Sequence, residues 1–281
     1  MKIFQAYYKE EQKSHLDTEF TPYDNTANPV INLHEYHIYN KIYEQAQKTN
    51  EDLWGHFSWK WRTRIEGVSA QQIIDIINLD KSYDVYTFNP YPQQMIKYWN
   101  IWEQGQLCHP LILELTEKIF NDMGIDPLIL QKPMGIEHYL CCNYFIGNKK
   151  FWDGLLLFLA KFVDVIDKFE GVWLEKLNTN ADYRLNLDLN YKGFICERLI
   201  GTYLLMNPQI KVRPFIELCQ REIHFNPSFE EILNLKQIGT VTKNRDSLRQ
   251  YLEKRPALVD PNGEGKVCYN WGNDWINTCE L

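Results

Sequence analysis

The sequence predicts an α/β protein: a mixed, mostly parallel sheet flanked by helices, with a helical extension at the C-terminal end. Two observations lead to that expectation. Short apolar and aromatic segments alternate with longer segments of helical periodicity from residue 2 to about residue 215. The chain of 281 residues is 44% hydrophobic and 14% aromatic, enough to bury a large core. The expected boundaries are one domain over 1–215 and an extension with a turn-rich tail over 216–281.

The elements follow in order. "KIFQAYY" (2–8) reads as the first strand, and the polar, proline-broken stretch up to residue 31 as a loop crossing the strand ends. In "HEYHIYNKIYEQAQ" (34–47), Tyr36, Tyr39, Ile42, Tyr43 and Ala46 recur every three or four residues, which predicts a tyrosine-faced helix. "DLWGHFSW" is the second strand. A short helix over 69–79 follows, with Ser69 as N-cap, then a strand in "YDVYTFN" that stops at Pro90. Helices are expected over 92–105, 109–124, 149–170 and 191–207, and strands over 137–147 and 209–218. "SFEEILNLKQ" and "NRDSLRQYLEKR" give two more helices.

Composition excludes several classes. A net charge of −7 and a pI near 5.6 argue against a general nucleic-acid binder, although a local basic patch can hold a phosphate. The most apolar run, from Gly154, is broken by Lys161 and Asp164, well short of the roughly 20 residues of a membrane span. No apolar leader is expected at the start. Seven cysteines without a CxxC pair suggest free thiols in a reducing cytoplasm rather than a zinc ribbon. GxGxxG, P-loop, GxSxG and HExxH patterns are all absent from the sequence.

Ligands of open α/β sheets bind outside the carboxyl ends of the strands. At those ends lie Tyr7 and Tyr8, then Ser58, Trp59, Lys60 and Trp61, then Asn89. The stretch "EDLWGHFSWKWRTRI" (51–65) raises a specific question, because it sets Trp54, Trp59 and Trp61 beside His56, Lys60, Arg62 and Arg64: a core strand has no use for the cations and a surface strand has none for three indoles. Rings, amides and cations together suit a base, a ribose and a diphosphate. Among carboxylates, Asp84, Glu103 and above all Glu197 stand out. Glu197 and Arg198 sit among aliphatic neighbours in "FICERLIGTYLL", where a half-buried carboxylate can serve as a base or form an ion pair that holds the helix.

Taken in order, "EYHIYNKIYEQAQK", "DLWGHFSWKWR", "YDVYTFNP", "CNYFIGNKKFWDGLLLF" and "GFICERLIGTYL" resemble small bacterial GT-A type glycosyltransferases of surface-polysaccharide gene clusters, over about residues 1–207. The resemblance implies transfer of a sugar from a nucleotide-sugar donor to a surface glycan or glycolipid. It implies a donor site at Tyr7, Tyr8, Asn25, Ser58, Trp59, Lys60, Arg62 and Asn89, and an acceptor side at Asn143, Tyr144 and Arg198. Glu197 is the implied base, with Asp153 as the alternative. One departure matters. Where the family carries its metal-binding DxD, this chain has "FSWKW", so the expectation is a metal-independent enzyme in which Lys60, with Arg62 or Arg64, neutralises the leaving diphosphate. Asp24 or Asp84 would be the ligands if a metal were used. No further cofactor is implied.

Two other functions fit the composition: a non-catalytic carbohydrate-binding module, and an interaction subunit that packs its aromatic surface on a partner. The basic face of "TKNRDSLRQYLEKR" suits either a solvated helix or contact with anionic lipid at the inner face of the membrane.

Overall fold

The computed structural model describes residues 1–28, 31–181, 189–218, 227–255, 272 and 275–277. Chain order is β1 (Lys2–Tyr7), β2 (Thr21–Asp24), α1 (His34–Ala46), β3 (Leu53–Ser58), α2 (Trp61–Arg64), α3 (Ala70–Leu79), β4 (Val85–Phe88), α4 (Pro92–Lys97), α5 (Ile101–Cys108), α6 (Ile112–Asp122), β5 (Tyr144–Asn148), α7 (Lys149–Ile166), α8 (Gly171–Asn178), α9 (Tyr191–Met206), β6 (Val212–Pro214), α10 (Pro227–Val241) and α11 (Arg245–Lys254). Short 3-10 turns at Glu10–His15, Ile31–Leu33, Pro127–Gln131 and Ile216–Leu218 connect them.

The six strands form one sheet in the order β2-β1-β3-β5-β4-β6. β5 runs antiparallel to both neighbours, and every other pairing is parallel. The expected mixed, mostly parallel sheet flanked by helices is therefore present. Because β5 runs against the rest, its first residue, Tyr144, reaches the same edge as the carboxyl ends of β3 and β4. That reversal brings the 142–144 turn to the place where parallel strands gather ligands.

Alternation along the strands sorts side chains onto two cores. Phe4, Ala6, Trp54, Val85 and Phe145 face the larger one, under α1, α7 and α9. Ile3, Phe57, Tyr86, Phe88 and Ile146 face the smaller one, covered by Trp61 and α3.

Several boundaries differ from the sequence reading. β2 lies inside the expected loop; it is four residues long at the sheet edge, where Pro22 lacks no ladder partner it would need at the centre. The helix expected over 92–105 is two, because the Asn100 side chain caps α5 by accepting from Trp102 N (3.0 Å) and Glu103 N (2.8 Å). The strand expected over 137–147 shrinks to β5, since Cys142 and Asn143 adopt left-handed backbone conformations (φ 67° and 47°) that end pairing. β3 stops at Ser58, so Trp59 and Trp61 do not share a strand face. Much of the tail (259–281) lies outside the described residues.

The C-terminal helices are continuous with the larger core. α10 sends Lys236 into it, where Nζ donates to Met95 O (2.5 Å) and Tyr98 O (2.6 Å) and burial drives the amine well below its ordinary pKa. Tyr251 of α11 donates to Ile96 O (2.9 Å), and Trp275 packs on Trp99 (6.0 Å). Glu103, a sequence candidate for chemistry, is instead half of a buried ion pair: Arg255 grips it with two bonds of 2.8 and 3.0 Å, and both side chains are at most 1% exposed. No helix among the described residues is long and apolar enough to cross a membrane.

A buried charge without its partner is costly. Arg255→Met is expected to lower unfolding free energy by roughly 3 kcal/mol or more, while adding Glu103→Gln, which removes the orphaned charge and keeps an oxygen for the Trp99 N–H, restores part of the loss. Urea midpoints of the two variants check this.

Candidate functional site

A cleft of about 430 Å³ opens at the carboxyl edge of β1 and β3, within the range of roughly 300–1,000 Å³ usual for small-molecule sites. Its floor comes from alternate residues of β3, His56 and Ser58, and from Tyr8 just past β1. Trp59, Lys60 and Arg64 form one wall. Glu35 from the first turn of α1 and Gly193, Phe194 and Glu197 from the start of α9 form the other.

The end of β3 explains the odd composition of 58–64. Trp59 N donates to Ala6 O (2.8 Å), the last ladder bond, and the chain then coils into α2. Coiling separates what a strand would have aligned. Trp61 turns into the smaller core and donates Nε1 to Asp17 (2.8 Å). Arg62 pairs with the same carboxylate, Nε to Oδ1 at 2.5 Å, outside the cleft. Trp59, Lys60 and Arg64 stay on the cleft wall. Lys60 lies over the Trp59 ring (5.1 Å), and Arg64 donates to the Tyr144 hydroxyl (3.4 Å). Neither Lys60 nor Arg64 has a carboxylate partner among the described residues.

Across the cleft, the Glu197 carboxylate makes no hydrogen bond or ion pair with a described residue. Its backbone oxygen accepts from Asn143 Nδ2 (2.9 Å), whose second proton goes to Glu35 Oε2 (2.9 Å). Glu35 also accepts from the Tyr39 hydroxyl (3.2 Å). Ser58 and Tyr144 share a hydroxyl hydrogen bond of 2.9 Å. Burial pushes the Tyr144 hydroxyl and the Cys142 thiol each up to about 12, with Arg64 pulling the other way.

The remaining expected site residues lie elsewhere. Tyr7 points to the opposite side of β1 and packs under Lys13 (5.2 Å). Asn25, just past β2, is buried beside β1, its backbone N–H donating to Tyr7 O (2.9 Å). Asn89 braces a turn, donating to Tyr139 O (2.9 Å) and accepting from Tyr91 N (3.0 Å). Arg198, one residue from Glu197, faces α5 and binds Ile101 O, Phe194 O and Gln104 Oε1. Asp153 is held by Lys149 (2.7 Å) and Tyr43 near the start of α7. Since α7 follows the antiparallel β5, Asp153 stands at the amino edge of the sheet, about 17 Å or one strand length from the cleft. Asp84 also stands there, with Asn148 Nδ2 (2.8 Å) and Lys211 N (2.9 Å). Asp24 is taken up by Thr26 (2.7 Å).

No protein-family model, no curated protein and no solved structure matches the chain. The cleft itself therefore carries the functional argument.

Of its residues with polar or thiol side chains, Glu35, Gln12 and Cys142 had no role in the sequence reading, and His56 entered only as part of the stretch 51–65. Glu35 had a usable signal, because the first turn of a helix that follows a parallel strand lies at the carboxyl edge. A second open hollow of about 470 Å³ adjoins the cleft across Trp59 and is lined by His15, Asp17, Thr18, Glu19, Arg62 and Thr63.

With its thiol near 12, Cys142 is expected to alkylate slowly despite lining the cleft. Its rate should climb about tenfold per pH unit from 7 to 10 without levelling, and lie about a thousandfold below an ordinary cysteine at pH 8.5. Iodoacetamide labelling of wild type against Cys142→Ser measures it.

Proposed function

We propose that the chain is a glycosyltransferase that moves a sugar from a nucleoside-diphosphate donor to a glycan or glycolipid acceptor without a metal ion. The observation that carries the reading is the division of charge in the cleft. Two cations without a carboxylate partner among the described residues, Lys60 and Arg64, stand on one wall, and Glu197, whose carboxylate has no hydrogen bond to a described residue, stands on the other. A departing diphosphate needs compensating positive charge, and an attacking hydroxyl needs a base. Trp59 offers a flat face for a base or a sugar ring. The mixed, mostly parallel sheet is also the architecture that the resemblance implies.

In the reaction, the acceptor oxygen forms a bond to the anomeric carbon as the bond from that carbon to the diphosphate oxygen breaks. The acceptor proton passes to Glu197. The electron pair leaves with the diphosphate, whose charge Lys60 and Arg64 receive. The α9 N-terminus adds its positive dipole end to the same wall as Gly193. Asp24 and Asp84 take no part, each being engaged away from the cleft.

The hollow beyond Trp59 favours a second reading, a carbohydrate-binding module, since hydroxyls, carboxylates and an indole suit a neutral sugar. Nucleotide affinity separates the two.

A thermal-shift screen with UDP, GDP, CMP and their sugars, each with manganese and with EDTA, tests the proposal. One nucleotide should raise Tm equally in EDTA. Lys60→Ala and Arg64→Ala should remove that shift and Arg62→Ala should keep it. Glu197→Gln should retain the shift but lose transfer at least a hundredfold. A shift that requires manganese overturns the metal-free mechanism, and no shift with any nucleotide overturns the transferase.

A further inference from the structure

We infer that Glu35 is a positioning residue of the cleft: through Asn143 it fixes the left-handed turn that sets Tyr144 and, with it, the cation Arg64. Left-handed backbone is costly for residues other than glycine. Here two such residues stand in succession, Cys142 (φ 67°) and Asn143 (φ 47°). Asparagine tolerates that region and cysteine does not, so the turn persists only because its surroundings hold it.

The hold is visible in the hydrogen bonds. Asn143 is 1% exposed, and its amide nitrogen spends both protons, one on Glu35 Oε2 and one on Glu197 O, each at 2.9 Å. A flipped amide would aim its oxygen at two acceptors, so the orientation is determined by the network. The bond to Glu35 is the charge-assisted one and therefore the stronger. Glu35 is itself fixed, by the Tyr39 hydroxyl one turn later (3.2 Å) and by its place in the first turn of α1. The next residue along the chain, Tyr144, carries the hydroxyl that meets Ser58 Oγ (2.9 Å) and Arg64 Nη1 (3.4 Å). A single carboxylate thus ties α1, the turn before β5 and the first turns of α9 around one cleft.

This role deepens the proposed diphosphate site and rests on it for the affinity measurement alone. Electrostatics and positioning predict opposite signs. Glu35 is negative and lines a cleft meant for an anion, so removing its charge should by itself tighten anion binding. If Glu35 positions Arg64, removing its hydrogen-bond acceptor should weaken binding in spite of that gain.

The experiment measures the Kd of inorganic pyrophosphate by calorimetry in EDTA at fixed salt, for wild type, Glu35→Gln and Glu35→Ala. Glutamine keeps an oxygen for Asn143 and Tyr39 while losing the charge, and should bind about threefold tighter. Alanine should bind at least fivefold more weakly. Independently of any ligand, exchange of the Asn143 side-chain amide protons with water, followed by NMR, should stay slow in Glu35→Gln and rise at least tenfold in Glu35→Ala. Equal tightening in both variants, with unchanged exchange in Glu35→Ala, would reduce Glu35 to a passing charge and overturn the role. If wild type binds no pyrophosphate, the diphosphate reading fails, and the exchange ratio by itself then supports or overturns the positioning role.

Discussion

The cleft depends on a single buried carboxylate behind it. Asp17 accepts from Trp61 Nε1 (2.8 Å) and pairs with Arg62, and its own backbone N–H is held by Gln5 Oε1 (2.7 Å). These bonds join the loop after β1 to the turn after β3. They decide which residues of Trp59–Arg64 serve the core and which serve the cleft. Asp17 satisfies the indole N–H of Trp61 where the ring packs on Phe20 and Phe57, and so helps to fix the register that leaves Lys60 and Arg64 on one wall. The pairing also withdraws Arg62 from the cleft, whose cations Lys60 and Arg64 have no carboxylate partner among the described residues.

The second constraint is the reversed strand. An all-parallel sheet would send residue 144 to the far edge. With β5 antiparallel, the turn at 142–143 enters the carboxyl edge, and Asn143 meets α1 and α9 at once. The same reversal puts Asp153 at the other edge. Charge is therefore divided by topology: cations come from the turn after β3, carboxylates from the first turn of α1 and the second turn of α9.

Much of this was legible in the sequence, for a local reason. Helical periodicity located α1 and α7 and alternation β4, while apolar or polar runs bounded by turn residues placed β1, β3, α3, α9, α10 and α11. The rule for strand ends found Tyr8, Ser58, Trp59 and Lys60, and the composition of "FICERL" found Glu197. What was hidden depends on partners far along the chain. Arg62 could not be told from Arg64 without knowing that Asp17 lies beside the turn. The direction of β5 is set by tertiary pairing that its own residues do not encode. Glu103 looked like a lone acid in a helix, since Arg255 is 152 residues away. Tyr7 sits at a strand end, as expected, yet points away from the cleft because alternation assigns neighbouring residues to opposite faces, whereas Asn89 is buried and donates to Tyr139 O.

The central claim is that Lys60 and Arg64 receive a diphosphate with no metal between. The most direct test is a crystal structure of the chain grown in EDTA with the nucleoside diphosphate that binds best. Phosphate oxygens are expected within hydrogen-bond distance, about 2.7–3.2 Å, of Lys60 Nζ and the Arg64 guanidinium, with Glu197 facing the free terminal oxygen. A diphosphate seated elsewhere, or seated in the cleft only through a bound cation, would contradict that claim.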